Sequence, residues 1–223
     1  MKNNYIRGYD KWKRLIDCCF ASVGLIVLSP VFMIIMMMLK IETPAGKTIF
    51  KQKRIGQNGR EFYIYKFRSL SEEAPESAPS KVIKAESFTT KFGRIMRKTG
   101  LDELPQLINV AMGDMSIVGP RPLIPEEGEI HNSRMKKGIY TLRPGITGLA
   151  QIHGGNSISD GEKLLWDYKY LVNRGLIMDF NICVKTFLIS ITGRITPHKV
   201  ADYTNPSLSD DDSPNIRETV RDL

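Results

Sequence analysis

The sequence predicts a mainly α-helical fold with a small β element: a re-entrant membrane helix-break-helix and amphipathic interface helices around a compact cytosolic domain. Three features support this prediction. The uncharged run Cys18–Leu39 is interrupted near its middle by a proline. The segments 88–98 and 176–192 are apolar on one side and polar on the other, as interfacial helices are. Residue alternation around 61–67 indicates a β-strand.

The uncharged run is long enough to cross a bilayer, since its helix would span roughly 33 Å. Lysines and arginines flank both of its ends. The positive-inside tendency would therefore hold both ends on the cytoplasmic side. Pro30 removes a backbone hydrogen bond, and Ser29 can bond the carbonyl that is freed. We expect two half-helices that enter one leaflet and leave by the same face, with an ordinary kinked transmembrane helix as the alternative.

Three charged residues stand at the mouth of this run. Lys13 and Arg14 are expected at the level of the lipid headgroups. Asp17 follows them and needs a partner at that depth, which one of the two cations would provide.

Charge is unevenly distributed along the chain. Residues 1–200 carry a net charge of +12, whereas the last 23 residues carry −4. A basic body indicates an anionic partner, which would be nucleic acid, anionic lipid or a phosphorylated small molecule. The acidic tail is expected to be disordered. Cys18, Cys19 and Cys183 show no metal-binding spacing and are expected to be buried, reduced thiols.

The segment 49–70 predicts a β-hairpin whose turn is Gly-Gln-Asn-Gly. Its cations alternate with aromatic residues, a pattern that permits nucleic acid binding through stacking and phosphate contacts. A phosphate site for a small molecule is a second interpretation. For most of these residues we favour a third, a solvated basic face near anionic lipid.

Two adjacent carboxylates, Asp102 and Glu103, precede a predicted helix over about 104–112. Acids are favoured at the positive end of a helix, and Pro105 is tolerated in its first turn. Helix capping is therefore the first interpretation of the pair. The same helix end would keep an acid ionised, and hence nucleophilic, near pH 7.

A single arginine, Arg121, stands between two prolines, which stiffen the backbone around it. A stiffened arginine suits bidentate recognition of phosphate, although a turn with a surface arginine would have the same sequence. Neither a P-loop nor a dinucleotide-binding glycine motif occurs. A carboxylate that attacks phosphorus needs Mg²⁺ and cationic side chains to neutralise the phosphate oxygens, and this chain offers such cations.

Taken together, these stretches resemble the bacterial sugar transferase family, the monotopic phosphoglycosyl transferases, and especially its small members. The resemblance runs in order from about residue 13 to about residue 193. It rests on KRLID, the Ser-Pro break, FYIYKFRSL, LDELPQLINVAMGDMSIVGPRP and LRPGITGLAQIHG.

The resemblance implies transfer of a sugar-1-phosphate from a UDP-sugar to polyprenyl (undecaprenyl) phosphate, with release of UMP, as the first membrane step of glycan assembly. Asp102 would attack the β-phosphorus and form a phosphosugar-aspartyl intermediate, Glu103 would assist, and Mg²⁺ would bridge Asp102 and the diphosphate. Asp167 and Asp179 match acidic positions whose role, catalytic or architectural, stays open. The full set of expected substrate-binding residues is Lys66, Arg68, Arg121, Arg143, Gln151, Asp167 and Asp179.

The resemblance also implies an organisation and a location. A membrane segment would occupy 1–41, a cytosolic catalytic domain 42–196 and the acidic tail 197–223, at the cytoplasmic face of the bacterial inner membrane. Membrane lipid and the two substrates are the expected partners, downstream glycosyl transferases are further candidates, and nucleic acid is not expected. Two alternatives stay open: a membrane-bound glycosyl transferase that releases UDP, and a non-catalytic membrane-associated binding protein.

Overall fold

The structure is a computed structural model that describes residues 8–71 and 88–192. These residues form a mainly helical fold with a small β element, as predicted, and the acidic tail lies outside them. The elements are α1 (Gly8–Val27), α2 (Ser29–Glu42), β1 (Ile49–Ile55), β2 (Glu61–Phe67), α3 (Lys91–Thr99), α4 (Gln106–Met112), β3 (Ser116–Val118), α5 (Gly128–Lys136), β4 (Gly145–Thr147), α6 (Leu149–Ile152), α7 (Asp160–Asn173) and α8 (Leu176–Thr192).

Helices α1 and α2 are bent by 59° at their junction. Pro30 lies in the first turn of α2 and has no amide hydrogen for the carbonyl of Ile26. The Ser29 hydroxyl donates to that carbonyl at 2.8 Å, which confirms the predicted compensation. No single helix in the described ranges is long and apolar enough to cross a membrane, whereas the bent pair together meets the requirements of length and composition.

Apolar side chains are exposed along α1, α2 and α8. The expected burial of the three cysteines is wrong, since Cys19 is exposed and the other two, which also lie on α1 and α8, are half-buried. Helix α8 has the predicted bounds, and its outward face carries Ile177, Phe180, Phe187 and Ile191, each more than 60% exposed. The first amphipathic segment begins its helix at Lys91 because Thr90 caps it: the Thr90 hydroxyl accepts a hydrogen bond from Gly93 N.

Helix α1 is fastened to the domain by the charged residues at the mouth of the apolar run. Lys13 Nζ lies 3.6 Å from the Asp17 carboxylate, which confirms the expected pairing. Asp17 also accepts a hydrogen bond from the Ser116 hydroxyl at 2.6 Å, and Lys13 lies 2.5 Å from Asp179 on α8. Arg14 donates to two carbonyls at the end of α4. All three side chains thus bind protein groups and set the position of α1.

The predicted hairpin is confirmed as the antiparallel pair β1–β2, with Phe50 opposite Lys66 and Arg54 opposite Phe62. Residues directly opposite one another project to the same face, so Arg54 and Lys66 share a face. Helix α4 is attached to this hairpin through Asn109, whose amide accepts from Tyr65 N at 3.0 Å and donates to the Tyr63 carbonyl at 2.7 Å.

A second, parallel sheet pairs β3 with β4, Ser116 opposite Gly145 and Val118 opposite Thr147. The backbones approach so closely that a Cβ on Gly145 would lie 2.1 Å from Gly119 N. Periodicity does not predict β3, since three residues show no usable alternation. The segment 120–122 follows β3 in the chain, after Gly119.

Candidate active site

Four of the predicted site residues meet beside the hairpin. Lys66 Nζ lies 2.5 Å from Glu103 Oε1, and Arg121 Nη1 lies 3.8 Å from the same oxygen. Asp102 precedes Glu103 and interacts electrostatically with Lys66. Arg54 and Gln106 line the same small cleft as Lys66, Glu103 and Arg121.

The two carboxylates lie on a 3-10 turn, Leu101–Glu103, between α3 and α4. Gly100 ends α3 with φ of 74°, and Pro105 occupies the cap position of α4, where no side chain forms a capping hydrogen bond. The capping interpretation of Asp102 and Glu103 is therefore wrong. Helix α4 begins at Gln106, later than predicted. Glu103 lines the cleft, and Asp102 is buried next to it.

Asp102 is 8% exposed. Burial raises the pKa of its carboxyl above the ordinary value, and the nearby Lys66 ammonium opposes this rise only in part. Burial thus opposes the ionisation that the helix end was expected to favour, and ionisation of Asp102 near pH 7 stays a prediction. Within the described residues, no side chain forms a hydrogen bond or ion pair with the Asp102 carboxylate; its one hydrogen bond comes from the backbone.

Glu103 has the opposite electrostatics. Its own burial pushes the pKa upward, but the Lys66 ammonium and the Arg121 guanidinium outweigh burial and hold the pKa at about 2. Adjacent acids whose environments separate their pKa values are typical of sites with divided chemical roles. Glu103 is therefore an anion near neutral pH and is paired with Lys66, whereas burial opposes the ionisation of Asp102.

Arg54 is the site residue that the sequence analysis missed. Burial, helped by repulsion from Arg121, lowers the pKa of its guanidinium to about 10. One terminal nitrogen donates to the Pro122 carbonyl at 3.1 Å and the other to Gln52 Oε1 at 2.5 Å. The hairpin's two-residue alternation, which places Arg54 on the face of Lys66, was the signal that could have identified it.

The other predicted substrate-binding residues are not brought into this cleft. Arg143 donates to the Gly113 carbonyl at 3.0 Å at the end of α4, and Arg68 donates to the Leu70 carbonyl at 3.3 Å. The Asp179 carboxylate accepts from Tyr9 and Tyr170 as well as from Lys13. Asp167 forms a buried ion pair with Arg134.

Gln151, also predicted to bind substrate, lies on α6. Its amide nitrogen and oxygen are both buried, and neither has a hydrogen-bond partner within the described ranges.

Replacing Lys66 with methionine should destabilise the protein at neutral pH, because Glu103 would remain as a buried anion without its closest cation. The folded-state pKa of Glu103, about 2, lies below its ordinary 4.5, so its stabilising contribution is present above pH 4.5 and is lost as pH falls toward 2. The difference in melting temperature between variant and wild type should therefore narrow in acid. Thermal unfolding between pH 3 and 7 measures it.

Lys53→Met is the matched control. It breaks an ion pair with Glu61 on the same hairpin, at 3.0 Å, in which both side chains are about half exposed. Exposed pairs contribute little, so this variant should melt near the wild type. Equal losses from both lysine variants would contradict the role assigned to Lys66.

Comparisons with known proteins identify a matching family. A model of the family described as bacterial sugar transferase matches residues 8–193. The exopolysaccharide production protein ExoY of Rhizobium meliloti is 36% identical over 191 residues, which cover 78% of this chain and 83% of the relative.

Two relatives carry names that state a reaction. The UDP-glucose:undecaprenyl-phosphate glucose-1-phosphate transferase of Klebsiella pneumoniae is 35% identical over 182 residues, 78% of this chain and 39% of the relative. The UDP-N-acetylgalactosamine-undecaprenyl-phosphate N-acetylgalactosaminephosphotransferase of Aeromonas hydrophila is 34% identical over 190 residues, 81% of this chain and 44% of the relative. The match spans less than half of each of these two proteins.

Proposed function

Because this chain belongs to the bacterial sugar transferase family, we propose that it moves a sugar-1-phosphate from a UDP-sugar to a polyprenyl phosphate and releases UMP. The names of the Klebsiella and Aeromonas relatives support this donor and acceptor. The observation that carries the proposal is a buried carboxylate, Asp102, that no side chain hydrogen-bonds and that lies in the field of the Lys66 ammonium. Lys66 shares a small cleft with Arg54, Glu103 and Arg121.

Asp102 is the nucleophile in this proposal. A carboxylate oxygen of Asp102 forms a bond to the β-phosphorus of the UDP-sugar, and the bond from that phosphorus to the bridging oxygen breaks. UMP leaves with the bridging oxygen and its electron pair. A phosphate oxygen of the polyprenyl phosphate then bonds to the same phosphorus and releases Asp102 as a carboxylate. The products are UMP and a polyprenyl-diphosphate sugar.

The cationic side chains of the cleft reduce the electrostatic repulsion between the Asp102 carboxylate and the diphosphate of the donor. Arg121 lies at the edge of ion-pair distance from Glu103, so a phosphate can compete for its guanidinium. Glu103, with a pKa near 2, is a weak base. Its part in the reaction is to position Lys66 and Arg121 rather than to accept a proton.

The side chains present fit a magnesium ion shared with the substrate. The described residues contain no group of three or more His, Cys, Asp or Glu side chains that could hold a metal by themselves. Mg²⁺ commonly takes one or two protein carboxylates together with substrate phosphates, and Asp102 is an available carboxylate. When bound, the ion would neutralise oxygens of the diphosphate.

Nucleotide release tests the reaction. Detergent-solubilised protein is mixed with Mg²⁺, undecaprenyl phosphate and each of a panel of UDP-sugars, and UMP and UDP are assayed separately. We expect UMP with one donor. Release of UDP instead would mean transfer of the sugar alone and would remove Asp102 as a nucleophile at phosphorus.

The bent pair α1–α2 is the membrane anchor in this proposal, entering and leaving through the cytoplasmic face of the inner membrane. The 59° bend, the Ser29 hydrogen bond and the exposed apolar faces support this placement. Cations on both sides of the run add to it.

Cysteine labelling tests the anchor. In a background without native cysteines, Gly8→Cys and Lys47→Cys place one thiol on each side of the bent pair. Both thiols should resist a membrane-impermeant maleimide applied to spheroplasts and react after lysis, because both lie on the cytoplasmic side. Labelling of just one of them before lysis would show a spanning segment.

A further inference from the structure

The backbone that carries Arg121 is held through its carbonyls. Prolines at 120 and 122 have no amide hydrogen to donate, so hydrogen bonds to this segment depend largely on its acceptors. Gly145 N donates to the first carbonyl of the segment at 2.9 Å. Arg134 donates to the Arg121 carbonyl at 2.7 Å, and Arg54 donates to the third carbonyl at 3.1 Å.

Arg134 connects this segment to a distant helix. Its other terminal nitrogen lies 2.5 Å from Asp167 Oδ2 on α7, and the two side chains are 3% and 2% exposed. A continuous chain of hydrogen bonds therefore runs from α7 through α5 to the backbone of Arg121. Side chains buried to this degree do not reach a substrate, so Asp167 acts through Arg134 rather than by direct binding.

The Arg134–Asp167 pair is poorly explained as a source of stability. Buried ion pairs can often be replaced by apolar residues of similar volume at little loss, or with a gain in stability. Arg134 Nε is also buried, and it has no hydrogen-bond partner within the described residues. The pair instead fixes the position of a backbone segment. The planar Arg134 guanidinium donates to a carboxylate and to a carbonyl at once, which a lysine ammonium does not reproduce.

We propose that Arg134 and Asp167 are positioning residues that hold Arg121 where its guanidinium binds the diphosphate of the donor. This inference rests on the proposed function, which gives Arg121 its ligand. Small displacements of a binding group reduce its effect steeply, so a loosened backbone at Arg121 should weaken phosphate binding even though every contacting side chain is still present.

A double-mutant cycle tests the inference, with UDP and Mg²⁺ as the probe and the full detergent-solubilised chain as the protein. The variant Arg134→Met with Asp167→Leu removes both charges together and should fold, since no buried charge is left unpaired. We expect its affinity for UDP to fall about tenfold. In an Arg121→Ala background the same pair of changes should cause no further loss, because residues that act through one another are not additive.

Asp10→Asn is the matched control. It weakens a second Arg–Asp pair, in which Arg174 at the end of α7 contacts Asp10 of α1 at 2.7 and 2.8 Å. This variant should lower the melting temperature without changing the affinity for UDP. If the apolar pair does not fold, the cycle is run with Arg134→Gln and Asp167→Asn together, which also leave no buried charge unpaired.

The outcomes separate this inference from the proposed function. Equal losses of UDP affinity with and without Arg121 would overturn the positioning role, as would a wild-type protein that binds no UDP. A third outcome combines two results. If the Arg134 and Asp167 changes no longer reduce UDP affinity in the Arg121→Ala background, the positioning of Arg121 is upheld. If the wild type also releases no UMP from any donor, the transfer reaction is rejected.

Discussion

Asp102→Asn is expected to abolish sugar-phosphate transfer, with a loss of about 10⁴-fold or more, while the protein remains folded. Asparagine has nearly the same shape but no carboxylate oxygen that can bond to phosphorus. The measurement is UMP release with the donor found for the wild type, together with a search for protein-bound label from a donor radiolabelled in its β-phosphate. The wild type should retain label when acceptor is absent, and the variant should not.

The stability of Asp102→Asn should move in the opposite direction. Because burial raises the pKa of Asp102 above its ordinary value, the ionised group destabilises the fold at pH values above that pKa. The variant should therefore melt at or above the wild-type temperature near pH 7, and this advantage should shrink as pH falls toward 3.8 and both states of the wild type become protonated. The transfer rate of the wild type should fall over the same acid range, since the nucleophile must be ionised.

Asp160→Asn provides a control for the removal of a carboxylate. Asp160 is exposed at the start of α7, where it pairs with Lys163, and its replacement should leave transfer unchanged. Retained transfer by Asp102→Asn would exclude this residue as the nucleophile. A collapsed melting temperature would instead show that the buried carboxylate has a structural role.

Arg121→Met is expected to reduce kcat/KM by about 10³-fold, the lower range for an arginine that stabilises a transferring phosphoryl group. Arg121→Lys should recover only part of the loss, because an ammonium is a point charge and does not bind two phosphate oxygens as a planar fork does. UMP release over a range of donor concentrations gives kcat and KM separately. Both variants should fold, because the Arg121 side chain is 35% exposed and its ion pair with Glu103, at 3.8 Å, is long.

Arg60→Met, an exposed arginine in the hairpin connection, is the control for general loss of positive charge and should have little effect. Full activity of Arg121→Lys would show that charge alone matters at this position. Wild-type kinetics for Arg121→Met would remove the segment 120–122 from the phosphate site.

Local chemistry explains which expectations were correct. The break at Ser29 and Pro30 follows from one missing amide hydrogen and one nearby hydroxyl, both within a single helical turn. The hairpin follows from alternation around a turn sequence, and the bounds of α8 follow from its apolar period. None of these requires knowledge of a distant residue.

The incorrect and missed expectations have a different origin. Asp102 and Glu103 do not cap α4, because Pro105 occupies the cap position and Lys66, from the hairpin, engages Glu103. A solvated face is the interpretation favoured for most cations of 49–70, but the packing of the hairpin on the segment 120–122 half-buries Arg54. In each case the partner comes from an element far away in the sequence.

The sequence by itself determined the helical and hairpin elements, the broken apolar segment and, through its motifs, the family. Only the tertiary structure decided which charges pair between elements that are distant in the sequence. Arg134, itself paired with Asp167, donates to the Arg121 carbonyl. Arg143 donates to a carbonyl at the end of α4, and Asp179 pairs with Lys13 of α1. The physical reason is that local pattern depends on neighbouring residues, whereas the pKa and the role of a buried charge depend on desolvation and on partners brought in by the fold.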